Sequence, residues 1–169
     1  MTTQKLTPSE AADSIGIGVV VSIHTAPGAG EPVVARDRVQ AVAGVGLEGD
    51  RYAARAGNWS PVAGVDRDIT LIEAEVIEDL ATTDGIALAP GTTRRNVTTR
   101  GIRLNELVGR RFRIGSVVCE ATRLCEPCQY LTDLLGKPVL RPLVHRGGLR
   151  ARILEGGEIA VGVEIAALD

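Results

Sequence analysis

Aromatic residues make up only 2% of this 169-residue chain: one tryptophan, one phenylalanine and two tyrosines. A platform on which nucleotide bases stack has almost nothing to be built from. Lysine is nearly missing too. Lys5 and Lys137 are the only two, and no segment around them could form a Schiff-base site for pyridoxal phosphate. There is no apolar run of membrane-spanning length. The Ile15 to Ile23 stretch is too short, and it lacks the charged start and cleavage site of a secretion signal. Three cysteines, an odd count, make no disulfide framework. A net charge of −2 creates no global basic field for nucleic acid or anionic lipid. The expectation is a cytoplasmic protein with reduced thiols, without nucleic-acid or membrane partners.

What is present is an ordinary globular composition, 44% hydrophobic and 24% charged, with 20 glycines and 8 prolines. That punctuation suits many short strands joined by tight turns. Residues 1–14 read as a polar, frayed terminus, and 15–169 as one domain without repeat or linker. Ile15 to Thr25 reads as a buried strand, Ala26 to Pro32 as a loop, and Val39 to Val42 as an alternating strand. Asp68 to Ile72 is a β-branched strand that runs into a helix over Glu73 to Thr83, with Gly85 as its stop. Arg94 to Thr99 is a further strand candidate, followed by a short helical turn near Leu104. Arg111 to Ile114 and Val117 to Arg123 form a hairpin. Leu149 to Leu154 and Ile159 to Leu168 close the chain. Strands outnumber helices and do not alternate with them. The fold class is therefore mostly β, an antiparallel barrel with two or three helices outside it.

Three constellations carry chemistry. Leu124-Cys125-Glu126-Pro127-Cys128-Gln129-Tyr130 places a Cys-x-x-Cys between a strand and a helix, where amide N–H groups favour a thiolate. Such a thiolate serves as nucleophile, as half of a redox pair or as a soft metal ligand; the plain alternative is two small buried hydrophobes. A structural zinc site takes four ligands, whereas Cys119 sits on the preceding strand and His24 and His145 are isolated. The second constellation is Arg94-Arg95-Asn96 with Thr98. Read as strand, Arg94, Asn96 and Thr98 share one face, suited to a phosphate and a heterocycle edge. The third is the Gly46-Leu47-Glu48-Gly49-Asp50-Arg51-Tyr52 turn, which presents an acid and a base. Gly147-Gly148 with Arg146, Arg150 and Arg152 is either an anion loop or a simple turn. Seventeen of the nineteen basic residues are arginine. A GC-rich genome gives that bias, and so does planar recognition of phosphate.

In their order and spacing, GLEGDRY (Gly46 to Tyr52), RRNVTTRGIRLNELVG (Arg94 to Gly109), FRIG (Phe112 to Gly115), TRLCEPCQYL (Thr122 to Leu131) and RGGLRARILEGGEIAVGVEI (Arg146 to Ile165) resemble the MOSC domain, also found at the C-terminus of molybdenum cofactor sulfurases. The resemblance spans roughly residues 15 to 168 and is to a stand-alone bacterial member. It implies a β-barrel akin to the barrel domain of pyruvate kinases and a site for molybdenum cofactor (molybdopterin). It further implies Cys128 as metal ligand and catalytic residue, with Arg51, Arg94, Asn96 and Arg150 as cofactor contacts. In reductase members the substrate is a small N-hydroxylated compound and the electrons come from a separate donor protein, since no flavin, haem or iron–sulfur motif is present here. Those members carry a basic residue near the end of the first strand, where this chain reads Ser22-Ile23-His24-Thr25. Two other readings remain open at this point: a sulfur carrier using a cysteine persulfide, and a Cys125–Cys128 dithiol switch.

Overall fold

The computed structural model describes residues 7, 14–55, 57 and 67–168. Most of the expected frayed terminus, and most of the polar loop before Val65, lie outside the described residues. The strands are β1 (Ile17–Thr25), β2 (Val34–Arg36), β3 (Arg38–Val42), β4 (Gly46–Leu47), β5 (Ile69–Glu73), β6 (Val97–Arg100), β7 (Arg111–Ile114), β8 (Val117–Leu124), β9 (Leu149–Glu155), β10 (Gly157–Ala160) and β11 (Glu164–Ala167). The helices are α1 (Ala74–Thr83), α2 (Gln129–Leu135) and α3 (Leu140–Leu143), with a 3₁₀ turn at Leu104–Leu107.

Seven strands close into a barrel in the order β1-β6-β5-β9-β8-β7-β11 and back to β1. β1 makes the closure because its nine residues are long enough to serve two neighbours. Its first half pairs with β11 (Ile17↔Ala166), and β6 runs beside it from Val19↔Arg100 to Ile23↔Val97. Closure leaves no long open edge among these strands. The expected antiparallel barrel holds at every junction except β5–β6, which is parallel (Leu71↔Val97). That exception follows from α1, which carries the chain back across the barrel surface, as a parallel connection requires. Register shifts in β1 and β8 bend the strands around the barrel.

Alternation sorts the side chains. In β8, Val117, Cys119 and Ala121 point inward and are buried, while Val118, Glu120 and Thr122 are half-exposed. The interior is aliphatic around one aromatic, the fully buried Phe112, with Ile23, Leu71, Ile114 and Ile165. A small sheet of β10, β3 and β4 adds Val39, Ala41, Leu47 and Ile159 to the same core. A second apolar cluster joins the helices outside the barrel: Leu80 from α1, Leu131 from α2, Leu143 from α3, with Ile86 and Val139. Helix α1 ends as expected. Gly85 adopts a positive φ of 66°, and the Leu80 carbonyl accepts from both Asp84 and Ile86. No helix among the described residues is long and apolar enough to cross a membrane.

Cys119 is a core residue, as its strand position suggests, and burial, assisted by the charge of Asp68, pushes its thiol up to about 12. An unfolded thiol ionises near 8.5. The folded value is the higher one, so this contribution is complete at neutral pH and is lost as pH rises from about 8.5 toward 12. Urea denaturation between pH 7 and 11 should show stability falling by up to about 1.4 kcal/mol per pH unit from this group. Cys119→Ala, though less stable at neutral pH, should show a shallower alkaline decline.

Candidate functional site

At one rim of the barrel, β1 and β8 end while β6 and β9 begin. The loops leaving these ends surround a cleft of about 90 Å³. Four guanidinium groups line it, from Arg51, Arg94, Arg95 and Arg150, against the single carboxylate of Glu126; Cys125 and Cys128 complete the wall. In a chain of net charge −2, this is a local concentration of positive charge, suited to an anion.

The Asp50-Arg51 turn is no surface ion pair. Asp50 is 1% exposed and Arg51 7% exposed. The Asp50 carboxylate accepts from the Arg51 Nη1 at 3.1 Å, from the Ala26 amide at 3.1 Å and from the Tyr52 amide at 3.3 Å. The loop after β1 is thereby tied to the turn after β4. Arg51 also sits over the Tyr52 ring, 4.7 Å from its centroid, and donates through Nη2 to the Arg94 carbonyl.

Arg94 is itself 8% exposed. Its Nη1 donates to the Glu31 carbonyl at 2.6 Å and its Nη2 to that of Gly28 at 3.4 Å, which pins the loop that follows β1. Burial, and then the charge of Arg51, hold its pKa below the ordinary arginine value. Neither carbonyl neutralises the charge; the guanidinium is fixed in place and stays cationic. Arg150 differs. Its Nη1 is buried and has no hydrogen-bond partner among the described residues. A buried donor without an acceptor is costly, and Arg150 is one of the residues that line the cleft.

The expected sharing of a face by Arg94, Asn96 and Thr98 does not survive. The strand begins only at Val97, and Arg94 lies in the left-handed region at φ 64°, closing a turn from Gly91. This reversal breaks the two-residue alternation, so Arg94 and Arg95 both reach the cleft while Asn96 turns away from it. Asn96 is buried and saturated. Its Oδ1 accepts from the amide and hydroxyl of Thr70, both at 3.0 Å, and its Nδ2 donates to the His24 carbonyl at 3.2 Å. It joins β5 to the end of β1 behind the cleft wall. His24 stands on the same side, buried and with its pKa lowered by that burial, against Gly91, where a Cβ would lie 2.4 Å from its ring.

The two cysteines are placed differently. Cys125 is buried, with its amide bonded to the Gly148 carbonyl at 2.7 Å. Cys128 is half-buried, caps α2 in an extended conformation and packs against the helical cluster. Among the described residues no three His, Cys, Asp or Glu side chains converge as a metal-ligand set. The Gly147-Gly148 pair stands where the chain packs closely on itself. A Cβ on Gly147 would meet the Cys125 carbonyl at 2.6 Å, and one on Gly148 the Leu71 carbonyl at 2.1 Å. The glycines let the loop pack against the cysteine loop and β5. Arg95, Tyr130 and Glu126 also line the cleft and were not singled out from sequence. The doubled arginine was the only signal for Arg95.

The buried pair and the unpartnered arginine should respond oppositely to substitution. Asp50→Ala strands the Arg51 charge and should cost about 3–5 kcal/mol in urea denaturation. Arg150→Met gives up no hydrogen bond at Nη1 and should stay within about 1 kcal/mol of wild type. It should nevertheless weaken the binding of inorganic phosphate, measured by calorimetry.

Comparison with known proteins places this geometry. The MOSC domain family matches residues 53–166. Comparison with curated proteins returns no match. Among solved structures, the YUAD protein from Bacillus subtilis is similar at a TM-score of 0.73 and 18% identity, covering 89% of this chain and 95% of that one. YiiM from Geobacillus stearothermophilus is similar at 0.67 and 18%, covering 90% and 75%. YiiM from Escherichia coli is similar at 0.63 and 17%, covering 89% and 70%. At such identities the structures speak for the fold, and the family match covers more than half of the sequence. The chain belongs to the MOSC domain family.

Proposed function

We propose that this protein binds molybdenum cofactor in the rim cleft and reduces small N-hydroxylated or N-oxygenated compounds. One observation carries the reading: a half-buried thiol, Cys128, lines the same cationic cleft as Arg150, whose buried Nη1 has no partner among the described residues. The first is a soft donor of the kind molybdenum accepts, and the second is a donor awaiting an oxyanion.

The residues present fit the group. Cys128 would ligate the metal, and Arg150 would take an oxygen of the phosphate. Arg51 and Arg94 retain N–H groups beyond those spent on Asp50 and on backbone carbonyls, so they can add charge-assisted bonds without giving up the contacts that place them. Asn96 would act at one remove, by holding Thr70 and the end of β1 in register. When bound, the group supplies two-electron redox chemistry at the metal. Cleavage of an N–O bond consumes two electrons and two protons and releases water. In this reading the electrons come from a separate donor protein, and the chain's own part is to bind, orient and seal. The loop pinned by Arg94 and the Tyr130 side chain frame the cleft mouth; a Cβ on Gly30 would lie 3.4 Å from the Tyr130 hydroxyl.

The test is elemental analysis of protein purified from a host that makes the cofactor. Near-stoichiometric molybdenum in wild type, reduced at least tenfold in Cys128→Ser, is the expected result. Metal-free wild-type protein carrying one extra, reductant-labile sulfur would instead favour the persulfide carrier and sink the oxidoreductase reading.

A further inference from the structure

Arg95 was given no role among the expected cofactor contacts, yet its guanidinium ties the site together. Nε donates to the Gly147 carbonyl at 2.8 Å, Nη2 to the Cys125 carbonyl at 3.1 Å, and Nη1 to the Thr93 carbonyl at 3.3 Å. We propose that Arg95 is a positioning residue that locks the Cys125–Cys128 loop against the Gly147–Gly148 loop and so sets the Cys128 thiol at the cleft. Its importance to function rests on the reading that Cys128 is the working group.

Strands β8 and β9 pair as far as Leu124↔Leu149, and the Cys125 amide adds one more bond, to Gly148 at 2.7 Å. Beyond that the two chains diverge, and no strand partner is left for the Cys125 or Gly147 carbonyl. Arg95 bridges both. A planar fork with five donors can satisfy carbonyls on two loops at once, whereas a lysine presents its donors from one point. The fit is tight from the opposite side as well. A Cβ on Gly147 would lie 2.6 Å from the Cys125 carbonyl and 3.1 Å from Pro127 Cδ.

Farther along, the Glu126 carboxylate accepts the His145 amide at 3.0 and 3.1 Å, a second link between the same loops. His145 holds φ 62° there, and Asn105 donates to its carbonyl at 2.7 Å. Only Glu126 and Pro127 separate Cys125 from Cys128, and proline has a fixed φ. Displacement of the Cys125 backbone therefore passes to Cys128 with little slack.

The experiment needs no bound metal. Wild type, Arg95→Lys and Arg95→Met are treated with iodoacetamide well below their unfolding temperatures, and alkylation of each cysteine is followed by peptide mass spectrometry. Amide exchange at Cys125 is measured in parallel. Both variants should alkylate Cys128 at least fivefold faster and exchange the Cys125 amide faster by a similar factor, while Cys119 stays protected. Gly147→Ala, which presses on the loop from the other side, should do the same, and it carries the test if the Arg95 variants fail to fold. Wild-type rates at Cys128 and Cys125 in the folded variants would overturn the proposal. So would acceleration of Cys119 in step with Cys128, since that marks general loosening. Faster Cys128 alkylation alongside metal-free wild-type protein would uphold the positioning role and overturn the cofactor reading alone.

Discussion

Closure of the sheet through β1 is the constraint on which the rest of the structure depends. Because β1 pairs with β11 over its first half and with β6 along most of its length, the barrel is sealed by one strand. The loop after β1 therefore emerges beside the residues that precede β6. On the far side of the same rim, β8 and β9 meet at Leu124↔Leu149, while Leu71 of β5 pairs with Leu149 and with Val97. Four loops distant in sequence converge there because the core leaves their strands no other register. A slip of one residue in any of them would turn its buried face outward.

Convergence of loops raises a problem of its own, since loop carbonyls near the barrel mouth lose both water and ladder partners. The chain meets it with arginine. Arg94 donates to Glu31 and Gly28, Arg95 to Gly147 and Cys125, and Arg51 to Arg94. A carbonyl satisfied by a guanidinium leaves the positive charge uncancelled, unlike a carboxylate. Structural satisfaction of the loops and a cationic cleft thus arise from the same side chains. Among the described residues only Asp50 offsets one of the charges directly, and it does so while also accepting two amides. An arginine-rich sequence can reflect genome composition alone, but lysine could not replace these residues in this geometry.

Strand β8 was legible by its alternation, β1 by its apolar, β-branched run, although Ile17, Val19 and Val21 of that run prove exposed rather than buried, and the glycine after α1 marked its end. The short β2 and β4 and the four-residue α3 carry too few residues for a period to show. The rim was readable in its parts and misread in its geometry. Alternation predicted that Arg94 and Asn96 would act together, but a left-handed Arg94 reverses the order, and nothing local announces an arginine at positive φ. The reversal is imposed from outside, by the turn from Gly91 that packs on His24. Likewise the Gly147-Gly148 pair was open to reading as an anion loop or a simple turn. What it approaches is the chain itself, at Cys125 and Leu71, a contact between segments more than twenty residues apart.

The cysteine loop shows how these levels meet. Cys125 belongs to the barrel: its amide extends the β8–β9 ladder and its side chain is buried. Cys128 belongs to the helical cluster, packing near Leu131 and Leu143 outside the barrel. The two cysteines are thus held by different means, Cys125 through its backbone by the β8–β9 ladder and Cys128 by packing on the helical cluster. The arrangement presents one thiol, Cys128, beside fixed cations. The cluster behind Cys128 supports it without hydrogen-bonding to it, and the ladder behind Cys125 fixes where the loop begins. Of the two cysteines it is Cys128, the less buried, that the cleft can present.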